Sequence, residues 1–320
     1  MSTRTTRTSD DARPSIPPTD WSRRDLLGAA IGAGAILSAG SASAAAGGAA
    51  SEARDGVAIR SKDAGRLPTL FVAHGAPPLL DDAGWVRELG NWAAYLARPR
   101  AIVMLSAHWE ARPVTIGATR TVPLIYDFFG FPQHYYEQRY AAPGAPELAA
   151  RVRGLLSGAH PTTEAPHRGL DHGAYVPLVA MYPEADVPVL QVSLPSEDPK
   201  ELFALGEALA PLRDEGVLLT GSGFITHNLR TVDWHGGSPP PSWAVEFDQW
   251  TAEALARRDV DALLDYEKKG PGVRMALPTR EHFVPLLVAL GASGAKDALS
   301  FPIDGFWLGS LTRRSVQFGS

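Results

Sequence analysis

Short apolar runs alternate with longer mixed segments along most of the chain. The runs are rich in Val, Leu and Ile and are followed by Gly, Pro, Ser or His. Continuous apolar runs of this length are typical of strands buried on both faces of a sheet. The pattern predicts strands at Leu70–Ala73, Ala101–Leu105, Val187–Val192 and Val217–Thr220.

The segments between these runs have the character of helices, and several begin with Pro or an acidic residue, as a first helical turn favours. The predicted helices are Trp85–Leu96, Pro146–Leu156, Gly173–Met181, Pro199–Leu212, Trp243–Arg258, Val260–Tyr266 and Glu281–Leu290. Alternating strands and helices predict an α/β fold, with a central mostly parallel or mixed sheet and helices on both faces. We expect one domain over 67–320, preceded by a signal segment.

The first 44 residues have the order of an export signal. Arg23 and Arg24 precede a weakly apolar stretch, Leu26–Leu37, and small residues with an Ala-x-Ala site at Ala42–Ala44 follow. A membrane span would need roughly 20 apolar residues, so the stretch is too short to anchor the chain. The sequence predicts a twin-arginine signal peptide over 1–44 and a flexible lead-in over 45–66. We therefore expect the twin-arginine machinery to export the protein to the periplasm or beyond, without a stable membrane anchor.

The amino-acid composition limits which functional groups and partners the chain can use. The chain contains no Cys, which excludes disulfides, thiol nucleophiles and Cys-ligated metal sites. With 30 basic and 35 acidic residues the net charge is -5, which argues against a nucleic-acid partner. A metal ion must therefore be held by His, Asp or Glu, and nine His are present.

Five of these histidines stand where a site would form. His74, His108 and His227 follow predicted strands, and side chains at the carboxyl ends of such strands line ligand sites in α/β sheets. His172 and His282 stand at predicted helix starts, where the positive end of the helix dipole keeps an imidazole neutral. The other four, which we expect to be solvated, are His134, His160, His167 and His235.

Two common hydrolase signatures are missing. The chain has no His-Glu-x-x-His motif and no Gly-x-Ser-x-Gly elbow. A histidine-rich zinc site could still activate water, so an exported zinc-dependent hydrolase is one alternative. A protein that binds a metal or an aromatic ligand without turnover is another.

Seven strings, in order from about Leu67 to Ser320, together carry a family resemblance. They are Phe71–Pro77, Leu105–Trp109, Tyr126–Pro132, Tyr140–Gly144, Leu170–Gly173, Thr226–Arg230 and Glu281–Leu286. Together they resemble the class III extradiol ring-cleavage dioxygenases, and within them the 4,5-DOPA dioxygenase type. The resemblance implies an oxidoreductase that uses O₂ to open the ring of a catecholic, DOPA-like substrate beside its two hydroxyls.

The resemblance also implies one divalent metal ion per chain. Fe(II) is expected for ring cleavage, and Zn(II) is possible as in bacterial relatives. His74 and His108 match the first two metal ligands, and His227 and His282 match two later site histidines that can join them. At the position of His282 more distant members have a carboxylate, so the neighbouring Glu281 is an alternative third ligand.

Such a reaction needs a base to take a catechol proton and an acid to protonate the leaving oxygen, and neutral imidazoles suit both roles near pH 7. We assign acid–base catalysis to His172 and, where it does not bind the metal, to His227. The aromatic side chains of Trp109, Tyr126 and Phe129 are candidates for the walls around the substrate ring or for ordinary core packing.

Overall fold

A six-stranded mixed sheet forms the centre of the fold. The computed structural model describes residues 65–320, so the predicted signal peptide and nearly all of the lead-in lie outside the described residues. The strands are β1 (Thr69–Ala73), β2 (Ala101–Ser106), β3 (Val114–Ile116), β4 (Thr162–Glu164), β5 (Val189–Gln191), β6 (Val217–Gly223), β7 (Leu299–Ile303), β8 (Phe306–Trp307), β9 (Leu311–Thr312) and β10 (Ser315–Phe318). In the main sheet the order is β5-β2-β6-β1-β10-β7. The first four of these run parallel, whereas β10 and β7 are antiparallel to their neighbours.

Nine α-helices surround this sheet in the described part of the chain. They are α1 (Ala83–Tyr95), α2 (Pro146–Leu156), α3 (His172–Met181), α4 (Pro199–Leu209), α5 (Ser242–Ala256), α6 (Val260–Leu264), α7 (Tyr266–Lys269), α8 (Val273–Ala276) and α9 (Pro285–Ala292). Among residues 65–320 no helix combines the length and apolarity needed to cross a bilayer.

Alternate residues of each central strand serve two separate cores. In β1, Leu70 and Val72 pack in one apolar cluster with residues of α1 and α3, whereas Phe71 packs in the other with residues of α2, α4 and α9. This period-two division is what a strand covered on both faces requires. The predicted α/β fold with a mixed, mostly parallel sheet is confirmed.

One predicted helix boundary, close to a candidate site residue, needs correction. The helix expected over Glu281–Leu290 begins only at Pro285, and His282 lies in the turn before it. Proline has no N–H to donate and occupies a first helical turn readily, so the helix starts at this residue. The prediction placed His282 at a helix start, and that placement was wrong.

The parallel strands bring distant parts of the chain to one edge of the sheet. β6 lies between β1 and β2, with Ala73 opposite Gly223 and Ser106 opposite Ser222. Ala73, Ser106 and Gly223 are the last residues of their strands, so the chain leaves three neighbouring strands side by side. Polar groups that follow them face the same crevice, as the topology of open α/β sheets dictates.

Candidate active site

The structure gathers all five predicted site histidines at this edge of the sheet. His74 directly follows β1, His108 follows β2, and the turn before α9 inserts His282 between them. One potential ligand atom from each of these three side chains lies within 4.8 Å of the others. The ring of His172, at the start of α3, lies 4.0 Å from that of His108 between centroids. His227 stacks on His282 with a centroid distance of 3.5 Å.

Two glycines make this convergence possible. A side chain at Gly173 would place its Cβ 2.4 Å from Ser106 Oγ and 2.8 Å from His108 Cδ2. A Cβ at Gly223 would lie 2.0 Å from the His282 carbonyl oxygen, which accepts a hydrogen bond from the Phe224 amide. Both approaches are closer than any side chain allows, so glycine at these positions lets α3 and the His282 turn reach the strand ends.

Hydrogen-bond partners determine which nitrogen of His74 is free. The Ser222 hydroxyl donates to the Gly173 carbonyl at 2.5 Å, so its oxygen is left to accept from His74 Nδ1 at 3.0 Å. His282 Nδ1 likewise lies 2.9 Å from a carboxylate oxygen of Glu281, which can only accept. In both imidazoles the proton is therefore on Nδ1, and Nε2 keeps its lone pair.

A single carboxylate, that of Asp127, faces two further imidazoles. Asp127 Oδ1 lies 2.8 Å from His172 Nδ1 and also accepts from the backbone N–H of His172 at 3.0 Å. Its Oδ2 lies 3.4 Å from His108 Nδ1. The hydrogen bond puts the proton of the His172 ring on Nδ1, whereas the longer contact places the carboxylate charge beside His108 Nδ1.

Electrostatics keep most of the cluster neutral. Burial lowers the pKa of His74 and His108 well below the usual value, and the neighbouring imidazoles lower both further. Burial, followed by the charge of His282, has the same effect on the pKa of His227. Burial also opposes protonation of His172, but the Asp127 carboxylate outweighs it and raises the pKa of His172.

The two carboxyl groups of the site stay ionised. Burial would raise the pKa of Asp127, yet the charge and hydrogen bond of His172 bring it below the ordinary value. Burial likewise opposes ionisation of Glu281, but the hydrogen bond with His282 lowers the pKa of this residue to about 2. Both carboxylates can therefore accept hydrogen bonds from imidazoles at neutral pH.

The donor set fits a divalent metal ion. His74 Nε2 and His108 Nε2 lie 3.2 Å apart, at hydrogen-bonding distance from each other. The contact of His74 Nδ1 with the Ser222 hydroxyl leaves the lone pair of His74 Nε2 directed at this pair. Two nitrogens bound to one ion at about 2.1 Å, with an angle of about 90–109°, would be about 3.0–3.4 Å apart. A carboxylate or hydroxyl behind each ligand is the usual support for metal-binding histidines.

The other histidines and the aromatic candidates differ in how exposed they are. His134, His167 and His235 are exposed as expected, but His160 is 9% exposed, so its predicted solvation was wrong. It follows the end of α2, where its amide donates to the carbonyl of Leu156 and turns the chain back onto the helix. Among the aromatic candidates, Trp109 is buried with a guanidinium 4.4 Å above its ring, and Phe129 is 56% exposed.

Sequence reasoning missed the groups behind the histidines. Asp127 stands in one of the strings that carry the family resemblance and Ser222 follows a predicted strand, yet neither was assigned a role. Asp171 was missed too; its buried carboxylate accepts from Gln191 at 2.5 Å and from Arg168 at 3.0 Å. Metal-binding histidines generally require an acceptor for their second nitrogen, and a search for that acceptor would have pointed to Asp127.

Imidazoles that converge at the carboxyl edge of a parallel sheet, beside a His–Asp pair, form a candidate histidine-ligated metal site in an α/β protein. The family model of the catalytic LigB subunit of aromatic ring-opening dioxygenase matches residues 74–305. The chain belongs to this family of class III extradiol dioxygenases and is an aromatic ring-opening dioxygenase.

Individual relatives cover the same part of the chain. A protein of Escherichia coli K12 named 4,5-DOPA dioxygenase extradiol is 41% identical over 262 residues, which are 79% of this chain and 95% of the relative. A protein of Beta vulgaris with the same name is 42% identical over 264 residues, 79% of this chain and 94% of its own. The crystal structure of an uncharacterized Escherichia coli K12 protein superposes with a TM-score of 0.68 at 38% identity, covering 79% of this chain and all of the other.

Proposed function

We propose that the chain opens the ring of a DOPA-like catechol with O₂, using one Fe(II) ion held by His74, His108 and His282. The observation that carries the proposal is the 3.2 Å approach of His74 Nε2 and His108 Nε2, whose Nδ1 atoms both face acceptors. The relatives named 4,5-DOPA dioxygenase, at about 40% identity, support a DOPA-like substrate.

The choice of Fe(II) follows from the reaction. Catechols and O₂ react slowly on their own, and a bound redox-active ion supplies the electron path between them. Zinc has no accessible redox change. Zn(II), which the resemblance to bacterial relatives allows, would occupy the same nitrogens without supporting ring opening.

His172 is proposed as the group that moves the catechol proton. Its Nδ1 is held by Asp127 at 2.8 Å, so the lone pair of Nε2 is available to accept a proton from a substrate hydroxyl. The ring lies beside His108, where a substrate next to the metal would be. The partner Asp127 stabilises the cationic imidazole that this transfer creates.

His227 is proposed as a second proton-transfer group rather than a ligand. Ligand atoms of His74, His108 and His282 meet, whereas His227 groups only with Glu281 and His282. Its ring is parallel to that of His282, within 12°, so the two imidazoles lie face to face. An imidazole in this position could donate a proton to the oxygen that departs as the O–O bond breaks.

Metal analysis and turnover together test the proposal. The protein is purified without chelators or added zinc, loaded anaerobically with Fe(II), and mixed with O₂ and a panel of catechols that includes L-DOPA. We expect stoichiometric O₂ uptake and a yellow ring-opened semialdehyde with the Fe(II) protein and neither with the Zn(II) protein. Absence of O₂ uptake with every catechol, together with ester or amide hydrolysis by the Zn(II) protein, would favour the hydrolase alternative.

We propose in addition that the chain is exported in the folded state by the twin-arginine machinery. The paired Arg23 and Arg24 before a short apolar stretch support this location. Cells that express the chain with Arg23→Lys and Arg24→Lys should retain the protein in the cytoplasmic fraction, whereas the unchanged chain should be found outside the cytoplasm. Equal export of both proteins would contradict the proposal.

A further inference from the structure

Asp127 contacts two site histidines through its two oxygens. Oδ1 accepts from the His172 amide and from His172 Nδ1, and Oδ2 lies 3.4 Å from His108 Nδ1. We propose that Asp127 is a positioning residue that holds both imidazoles as Nδ1–H tautomers, so that one carboxylate prepares a metal ligand and a proton-transfer group together. The inference rests on the proposed function, because it takes His108 as a ligand.

The surroundings fix the carboxylate in this place. Next to it, the hydroxyl of Tyr126 donates to the carbonyl of Gln138 at 2.7 Å. On the other side the buried ring of Phe128 packs edge-on against His172, with centroids 5.8 Å apart. Both neighbours of Asp127 are thus held, and its side chain remains directed at the two imidazoles.

Only an all-acceptor group can serve both rings. In Asp127→Asn one oxygen becomes an NH₂ group, which donates. The amide of His172 always donates, so the remaining oxygen must stay on the His172 side, and the new NH₂ must face His108. His108 Nδ1 then has to accept, and the ring proton moves to Nε2.

This proton transfer would change the metal site directly. His108 Nε2 lies 3.2 Å from His74 Nε2, so a proton on the former would donate to the lone pair of the latter. The two ligands would then be hydrogen-bonded to each other, and a metal ion would have to displace the proton. Loss of such a supporting contact typically reduces metal affinity by about 10–100-fold.

The test compares Asp127→Asn with the isosteric control Asp186→Asn, whose carboxylate is half-exposed and pairs with Arg98 at the surface. Imidazole ¹⁵N–¹H correlation spectra of the metal-free proteins report each tautomer, and a His108→Asn variant assigns the His108 signals. Fe(II) affinity is measured anaerobically by competition with a chromophoric chelator. Circular dichroism verifies that each variant is folded.

We expect His108 to carry its proton on Nδ1 in the unchanged protein and in the control, and on Nε2 in Asp127→Asn. Fe(II) affinity should fall about 10–100-fold in Asp127→Asn alone. Asp127→Glu retains a carboxylate and should keep the original tautomer, which preserves the test if the Asn variant does not fold. An Asp127→Asn protein with the original tautomer and affinity would overturn the inference. Unchanged affinity in His108→Asn would instead overturn the ligand assignment of the proposed function.

Discussion

Gly173 provides a test of how tightly the site is built, because it binds nothing and still lies against two of the proposed metal ligands. In Gly173→Ala the new Cβ would lie 2.8 Å from His108 Cδ2 and 3.3 Å from His74 Nδ1. Carbon atoms pack at about 3.5 Å, so the His108 ring must retreat by about 0.7 Å. Ser106 Oγ, 2.4 Å from the new Cβ, is restrained because it accepts from the His108 amide at 3.1 Å.

The energetic cost follows from two opposing effects. Overpacking of this kind costs about 1–3 kcal/mol, and replacing glycine by alanine in a helix returns up to about 1 kcal/mol. The free energy of unfolding should therefore fall by about 0–3 kcal/mol, which leaves the protein folded. The displaced His108 nitrogen should lower metal affinity by about 10–100-fold, as the loss of a supporting contact does.

Gly154 provides a matched control for the Gly173→Ala variant. Gly154 is exposed in α2, and a Cβ there would meet no atom within 4 Å. Gly154→Ala should raise the free energy of unfolding by about 0.5–1 kcal/mol and leave metal affinity unchanged. Denaturant unfolding and chelator competition measure the two quantities. Wild-type metal affinity in Gly173→Ala would refute the packing argument, and so would a variant that fails to fold.

Three further outcomes follow from the structure. His172→Ala should bind Fe(II) with nearly unchanged affinity while kcat falls by at least about 100-fold, since it removes the proposed proton-transfer group; loss of metal would contradict this. Removal of the ion should lower the melting temperature, and re-addition at 100 times the Kd should restore about 2.7 kcal/mol; a calorimetric scan without that shift would show that the folded chain does not hold the ion. Asp297→Asn removes the partner of the buried Arg213, 2.5 Å away, and should cost about 1.5–3 kcal/mol at pH 7. Burial opposes ionisation of Asp297, but Arg213 lowers the pKa of its carboxyl group below the ordinary value. The stabilisation is therefore complete above the ordinary pKa and is lost as the pH falls through the folded-state pKa. If the difference in free energy of unfolding between the unchanged protein and Asp297→Asn does not narrow below about pH 4, this assignment is refuted.

The sequence predicts the strands and helices that have strong local signals. α2 was predicted with its exact boundaries because it begins with Pro146 and has a regular apolar face. The C-terminal strands were missed. In β7, for example, Pro302 is present and partly exposed residues alternate with exposed ones, so the local strand signal is weak. Their antiparallel pairing beside β1 depends on contacts that only the folded chain makes.

In the candidate site, too, residues marked by a local sequence signal could be predicted, and those placed by long-range contacts could not. His74 and His108 could be found because each follows a buried strand, a feature visible locally. The role of Asp127 could not, because its distance from His172 depends on how the segment after β3 crosses the crevice. His282 lies in the cluster of histidines as expected, but its predicted local setting was wrong, because the turn is placed by the contact with Gly223, which periodicity does not report.

The dispersal of the site along the chain bears on how the metal is acquired. The proposed ligands come from the first strand, the second strand and a turn near the C terminus, so no short segment contains the whole set. A preformed site of this kind does not exist in the unfolded chain, and the binding free energy of the ion becomes available only with folding. A protein threaded across a membrane unfolded would have to select its ion outside the cell. Export of a folded chain would avoid this, because Fe(II) could be bound in the cytoplasm first, and the proposed twin-arginine route meets this requirement.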